Sequence, residues 1–280
     1  MRRIWRIFEV ALNRFNRNEG WAIASHIALS ALMALFPFLI FVTALAASLF
    51  GSLELADEAA SILFEAWPEV IAEPMEREIR NVMLGLRGDV LTFAAGIAIF
   101  FASSGIESLR IGLNRAYRVR ETRAWWLLRI ESIAYVVVGA AAMLALSFLV
   151  VLYPLMWATA IQYASWLDRV GNLLEFVRLG AAAIVLIVAL FVAHWWLPAG
   201  RRSFNEIWLG ILVTFVLWLG AGIVFGRYLA SFAYAYVTYY AGLASVMAAL
   251  VFLYLVAMIF IFGAELNGAV ARARARERLR

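Results

Sequence analysis

The sequence predicts an all-α fold: a polytopic membrane helix bundle with six transmembrane helices, amphipathic interfacial helices and both termini in the cytoplasm. Three observations predict it. Hydrophobic residues make up 65% of the 280-residue chain and charged residues only 15%, with a mean hydropathy of +0.87. A soluble domain of this length carries about a quarter charged residues, so most of this surface has lipid as its solvent. Six apolar runs recur along the chain, each about 20 residues or longer, enough to cross about 30 Å of hydrocarbon at about 1.5 Å per residue. Arginines collect in alternate connections, as they do in proteins that span a membrane.

The first element, residues 1–20, reads MRRIWRIFEVALNRFNRNEG. Charge interrupts it too often for the apolar core of a cleaved signal. Ile4, Trp5, Phe8, Ala11, Leu12 and Phe15 recur at helical spacing against Arg2, Arg3, Arg6, Arg14 and Arg17, which predicts a cytoplasmic amphipathic helix. The first span covers 24–50. Pro37 lies near its middle, where the missing N–H predicts a kink serving either as fixed architecture or as a hinge.

Residues 51–86 form the one long connection. Met75, Ile79, Val82, Met83 and Leu86 share a helical face opposite Glu76, Arg77, Glu78 and Arg80, and Pro68 and Pro74 break the register. Two or three short amphipathic helices on the outer membrane surface are expected. The second span runs from Asp89 to about Leu109, the third from about Ile130 to Pro154, the fourth over 179–198, the fifth over 207–226 and the sixth over about 242–266. Between them, 155–173 and 227–241 carry Trp157, Tyr163, Trp166, Tyr228 and Tyr234, suited to the headgroup layer. Residues 1–271 are thus one transmembrane domain, and 272–280 a basic cytoplasmic tail. Three spans per half would place the halves in inverted topology, although no repeat is visible in the residues.

Orientation follows from charge. Residues 110–129 hold six arginines against Glu121 alone, and the tail holds five against Glu277, whereas 51–86 hold eight carboxylates against Arg77 and Arg80. Every basic segment then falls on the cytoplasmic side. The net charge of +5 follows the membrane and implies no nucleic-acid partner. All 24 basic residues are arginine, which a codon bias explains more simply than phosphate binding.

Polar residues within or beside spans are the candidate functional groups. Glu107 lies 18 residues after Asp89, hence about 27 Å along the helix, near the cytoplasmic boundary. It reads either as a helix exit paired with Arg110 one turn on, or as the inner mouth of a cavity. Asn114, Glu206, Glu265 and Asn267 fall on the same side. Arg178 and Arg227 face the outer side, where the charge rule disfavours them. They are candidates for an anionic group, against the plainer reading of a local ion pair or headgroup snorkelling. His26 and His194 lack a metal-ligand spacing, and there is no cysteine; no metal site, cofactor or thiol chemistry is expected.

Four stretches in order, SHIALSALMALFPFLIF, LNRAYRVRETR, WWLPAGRRSF and YYAGLASVMAALVFLYLVAMIFIFGAELNGAV, resemble the YihY/virulence factor BrkB family over about residues 10–271. Where the family has Tyr-Gly before the last span, this chain has Tyr240-Ala241-Gly242. The resemblance implies a six-span, multi-pass protein of the bacterial inner membrane, with 51–86 periplasmic, in a family once misnamed ribonuclease BN. It further implies links to envelope integrity, serum resistance or movement of lipid precursors. The positions matching its pattern are Pro37, Asn114, Tyr117, Arg123, Pro198, Gly263, Glu265 and Asn267, and no catalytic residue comes with it.

The expected function is therefore a transporter or flippase-like carrier for a lipid or other amphipathic anionic substrate of the cell envelope. Arg178, Arg227, Glu107, Asn114, Glu265 and Asn267 are its candidate substrate-binding residues and Pro37 its candidate hinge. Membrane lipids are the expected partners, and self-association stays open. The alternative is a non-transporting scaffold for envelope integrity. An enzyme is not expected, because phosphodiester hydrolysis calls for metal-binding carboxylates or histidines in a polar cleft.

Overall fold

A computed structural model of the chain describes residues 2–50, 88–147, 168–200, 202–240 and 243–278, together with positions 149, 153 and 157. The expected amphipathic helices of 51–86 lie outside the described residues. The described residues form seven α-helices: α1 (Arg2–Arg17), α2 (Gly20–Phe50), α3 (Gly88–Tyr117), α4 (Trp125–Ser147), α5 (Asp168–Trp196), α6 (Phe204–Tyr240) and α7 (Ala244–Arg278). Helices α3 to α7 are each long and apolar enough to cross a membrane, and α2 adds an apolar stretch over Gly20–Leu35. The protein is a polytopic helical membrane bundle. The backbone of α2 stays helical through position 37.

Local signals set the helix ends. α1 closes where Glu19 takes a left-handed conformation (φ 58°) and the Asn18 N–H returns to the Arg14 carbonyl. At the end of α3, Arg118 is also left-handed (φ 57°); its N–H bonds the Arg115 carbonyl and the Val119 N–H bonds that of Asn114. That is a Schellman closure made without glycine. α6 begins with one arm of a capping box, the Ser203 N–H donating to Glu206 Oε2 at 3.1 Å, while the Glu206 N–H closes a backbone turn on the Ser203 carbonyl at 3.0 Å.

Among the helices that outrun their expected spans are α6 and α7. α6 continues unbroken to Tyr240, where a separate interfacial segment over 227–241 was expected, and α7 continues to Arg278 through the basic tail. The extension of α6 contains no proline or glycine and that of α7 only Gly268, and in water or at the headgroups arginine and alanine are good helix formers.

Successive helices run antiparallel, α3 against α2, α4 against α3 and α7 against α6, so one end of the bundle gathers the start of α2, the ends of α3, α5 and α7, and the start of α6. α1 lies against that same end. The main apolar core sits there, built by Phe15, Ile23, Leu113, Leu197, Ile207 and Ile261 with their neighbours. A second cluster packs Ala11 of α1 on Leu266 and Ala269 of α7. In lipid the hydrophobic effect gives helices little reason to associate, so close backbone approach at small residues matters more. α6 and α7 cross at such a point: a Cβ on Gly210 would sit 2.2 Å from the Gly263 carbonyl oxygen.

Candidate functional site

The buried polar groups concentrate at the end just described. Asn267, fully buried on α7, accepts the Gly210 N–H at 2.6 Å through Oδ1. That fixes its amide, so Nδ2 donates to the Tyr117 hydroxyl at 3.3 Å. The hydroxyl also shares a hydrogen bond with Nδ1 of His194 at 3.0 Å, the imidazole tautomer setting which of the two donates. His194 is fully buried, with its ring stacked on Phe260 at 4.7 Å. The chain Gly210–Asn267–Tyr117–His194 therefore ties α6, α7, α3 and α5 together through hydrogen bonds.

A second set surrounds Glu121 in the α3–α4 loop. Arg123 grips it bidentately, Nε to Oε1 at 2.8 Å and Nη2 to Oε2 at 2.9 Å, and Asn114 Nδ2 donates to Oε2 at 3.1 Å. The Thr122 and Arg123 backbone N–H groups complete its shell. These donors, the Arg123 side chain above all, hold the Glu121 carboxyl down at about 2, and the same contact raises Arg123. Arg123 also reaches Glu131 Oε2 at 2.7 Å and the Leu197 carbonyl at 3.1 Å, which caps the end of α5. Asn114 Oδ1 accepts the Ala199 N–H at 2.8 Å. Thus Asn114 and Arg123 clamp the α3–α4 loop to the α5–α6 turn.

Glu265 faces the other way, toward α1. Its carboxylate lies 3.2 Å from Arg14 Nε and accepts a hydrogen bond from the Asn18 amide; the two side chains of the ion pair are 10% and 1% exposed. Arg14 donates to the Ala116 carbonyl at 3.4 Å. Burial lowers the Arg14 pKa, with Glu265 acting against that shift. Asn114, Glu265 and Asn267 thus occupy one end of the bundle, each held by different partners.

The remaining sequence candidates lie elsewhere. Glu107 does not pair with Arg110: it meets Arg129 of α4 at 3.3 Å, while the Arg129 guanidinium covers the Phe100 ring at 4.8 Å. Arg110 turns into the α3–α4 interface, 2% exposed, and donates to Ser132 Oγ at 2.6 Å and the Leu128 carbonyl at 2.9 Å. Arg178 bonds Glu175 at 3.3 Å and the Leu149 carbonyl at 3.2 Å, toward the opposite end. Arg227 is exposed on α6. Glu206 serves the capping box. His26 meets Ser108 Oγ at 2.6 Å. Among the described residues no three His, Asp or Glu side chains gather as a metal site would need.

Two concavities complete the picture. A membrane-depth groove of about 910 Å³ runs along α6 and α7 from Leu12, Phe15 and Trp21 at the α1 end to Phe225 and Tyr228. Its wall is almost wholly apolar, and Gly220 and Ala221 form part of its floor. A second pocket, about 430 Å³, opens between the α3–α4 loop and the α5–α6 turn, bounded by Thr122, Arg123, Trp195, Trp196, Gly200 and Arg202. Arg202 lies over the Tyr117 ring at 4.1 Å and donates to the Ala199 carbonyl at 2.7 Å; burial lowers its pKa. Arg14, Asn18, His194 and Arg202 join these polar contacts without having been sequence candidates. Only the last had a signal, its place in WWLPAGRRSF.

The chain is 23% identical over 262 residues to a ribonuclease-like protein, YfkH, of Bacillus subtilis (strain 168), an alignment covering 94% of each chain. No solved structure matches it. Residues 11–280 match the virulence factor BrkB family, and this integral membrane protein belongs to that family.

Proposed function

We propose that the protein carries a lipid-like anionic amphiphile of the cell envelope along the groove between α6 and α7. The groove is the observation that supports this reading. It follows α7 from Val251 to Phe262, about 16 Å along the axis, roughly one leaflet of a hydrocarbon core of about 30 Å. It opens sideways to lipid, so an acyl chain can enter without leaving the apolar phase. Arginines flank both ends: exposed Arg17 closes α1 two residues after Phe15, and Arg227 precedes Tyr228. In this reading the arginine-rich end faces the cytoplasm of a bacterial inner membrane. Exposed Trp5, Trp125, Trp126 and Trp196 there suit the headgroup layer.

In this reading the word ribonuclease describes the relative alone. Catalytic carboxylates must be available to metal, water or substrate. Here Glu107, Glu121, Glu131 and Glu265 each face an arginine within 3.3 Å.

The test is translocation of a fluorescent phospholipid in proteoliposomes. A Cβ at Gly220 meets nothing within 4 Å, so Gly220→Leu fills the groove without disturbing the bundle. Gly220→Leu and Arg227→Gln should each abolish translocation while the protein stays folded. Wild-type rates in both folded variants reject the groove as a path. No translocation by the wild-type protein, together with recovery of a stable crosslinked partner, favours the scaffold.

A further inference from the structure

We infer that the pocket between the α3–α4 loop and the α5–α6 turn is a binding site for a phosphate-bearing anion. The site stands on its own geometry; only the choice of a lipid as carrier of the phosphate rests on the proposed function.

Among the described residues two arginines and one carboxylate bound the pocket, and the carboxylate is spent. Glu121 already receives five donors, from Asn114, from the Thr122 and Arg123 backbone, and twice from the Arg123 side chain. It therefore contributes little repulsion to an incoming anion. Arg202 is the available cation. Its plane is set by the Tyr117 ring and by one bond to the Ala199 carbonyl, and its Nη1, itself buried from solvent, has no hydrogen-bond partner among the described residues. A guanidinium fixed in this way binds oxyanions with little further loss of side-chain freedom. Arg123 cannot swing away, since Glu121, Glu131 and the Leu197 carbonyl hold it.

The surroundings specify the rest. Trp195 and Trp196 are 39% and 61% exposed, with rings stacked at 5.9 Å. They place the pocket mouth at the headgroup layer rather than in bulk water. About 430 Å³ is ample for a phosphate with part of its substituent. The pocket lies on the α3–α4–α5 side, whereas the groove is bounded by α1, the start of α2, α6 and α7, so the two can be tested apart.

The experiment is calorimetric titration of the purified full chain in detergent. The probes are inorganic phosphate and dihexanoyl phosphatidylglycerol below its micelle concentration. Saturable binding is expected. Arg202→Gln, which removes the charge, and Thr122→Trp, which fills the pocket from an exposed loop position, should each weaken it at least tenfold. If Arg202→Gln fails to fold by circular dichroism, Thr122→Trp decides. Phosphatidylglycerol binding at least tenfold tighter than inorganic phosphate identifies a lipid headgroup, and equal affinities identify a soluble phosphate. No saturable binding of either probe, or undiminished binding to folded Thr122→Trp, overturns the inference. Loss of translocation in Gly220→Leu with phosphate binding intact would leave this site standing whatever becomes of the groove.

Discussion

The α6–α7 crossing offers the sharpest test of how the bundle is held. In Gly210→Ala the new Cβ would lie 2.2 Å from the Gly263 carbonyl oxygen and 2.5 Å from the Asn267 amide. An ordinary carbon–oxygen contact is about 3.3 Å, so the helices must part by roughly 1 Å at their closest point. Overpacking of this kind costs about 1–3 kcal/mol. The same movement stretches the bond from the Gly210 N–H to Asn267 Oδ1, 2.6 Å in the native protein, which adds about 1 kcal/mol. Gly220→Ala is the matched reference, because a Cβ there meets nothing within 4 Å. Both substitutions gain the same helix propensity, so that contribution cancels between them. Gly210→Ala should then be less stable than Gly220→Ala by roughly 2–4 kcal/mol, read by reversible unfolding of the detergent-solubilised protein in dodecyl sulfate. Two variants that unfold together would refute the close crossing as the source of helix association.

Three further outcomes are expected. Arg14→Ala leaves Glu265 buried without its cation and should cost about 3–5 kcal/mol, whereas the double variant Arg14→Met, Glu265→Met should recover most of that loss. Equal unfolding of the single and double variants would show that packing, not charge, is at stake. Glu121 has a folded pKa of about 2 against an ordinary 4.5. Its contribution is therefore complete above pH 4.5 and lost as pH falls toward 2. Amide protection in loop 118–124, corrected for the intrinsic exchange rate, should fall over that window, and an identical acid response in Glu121→Gln would remove Glu121 as the cause. Because the chain has no cysteine, Trp5→Cys, Val70→Cys and Leu279→Cys can each be labelled singly in intact cells. An impermeant maleimide should reach position 70 alone, and labelling at 5 or 279 would reverse the orientation.

Much of the fold was legible because hydropathy reports on the solvent. A run such as LGAAAIVLIVALFVAHWWLP can satisfy its backbone in lipid only as a helix, and α5 contains all of it but the final Leu197 and Pro198. α1 was legible because Ala11 and Phe15 recur at helical spacing, and both are buried. Helix lengths were less legible. Nothing in the apolar span of α6 or α7 announces its end, and without a breaker each helix runs on past the hydrocarbon.

The polar contacts were harder to read, and Glu107 shows why. Three residues turn a helix by about 300°, so Glu107 and Arg110 are neighbours along α3 yet differ by about 60° in direction. That offset is enough to send Arg110 into the α3–α4 interface and Glu107 to its rim, where Arg129 is the nearer cation. Periodicity assigns a residue to a face, but the partner helix and its rotation decide which charge it meets. Arg14 fails in the same way: it sits beside the apolar stripe of α1 as Arg17 does, but it alone lies opposite Glu265. Tyr117 and His194 are 77 residues apart, and only their shared end of the bundle brings them together. Sequence alone did place Asn114, Glu265 and Asn267 at that end, because each closes a span on the arginine-rich side. A polar side chain near the boundary can be buried late, after its helix is inserted, without crossing the hydrocarbon unpaired. That cost difference is a physical reason for the network to collect at one end, leaving the membrane-depth groove between α6 and α7 apolar and open to lipid.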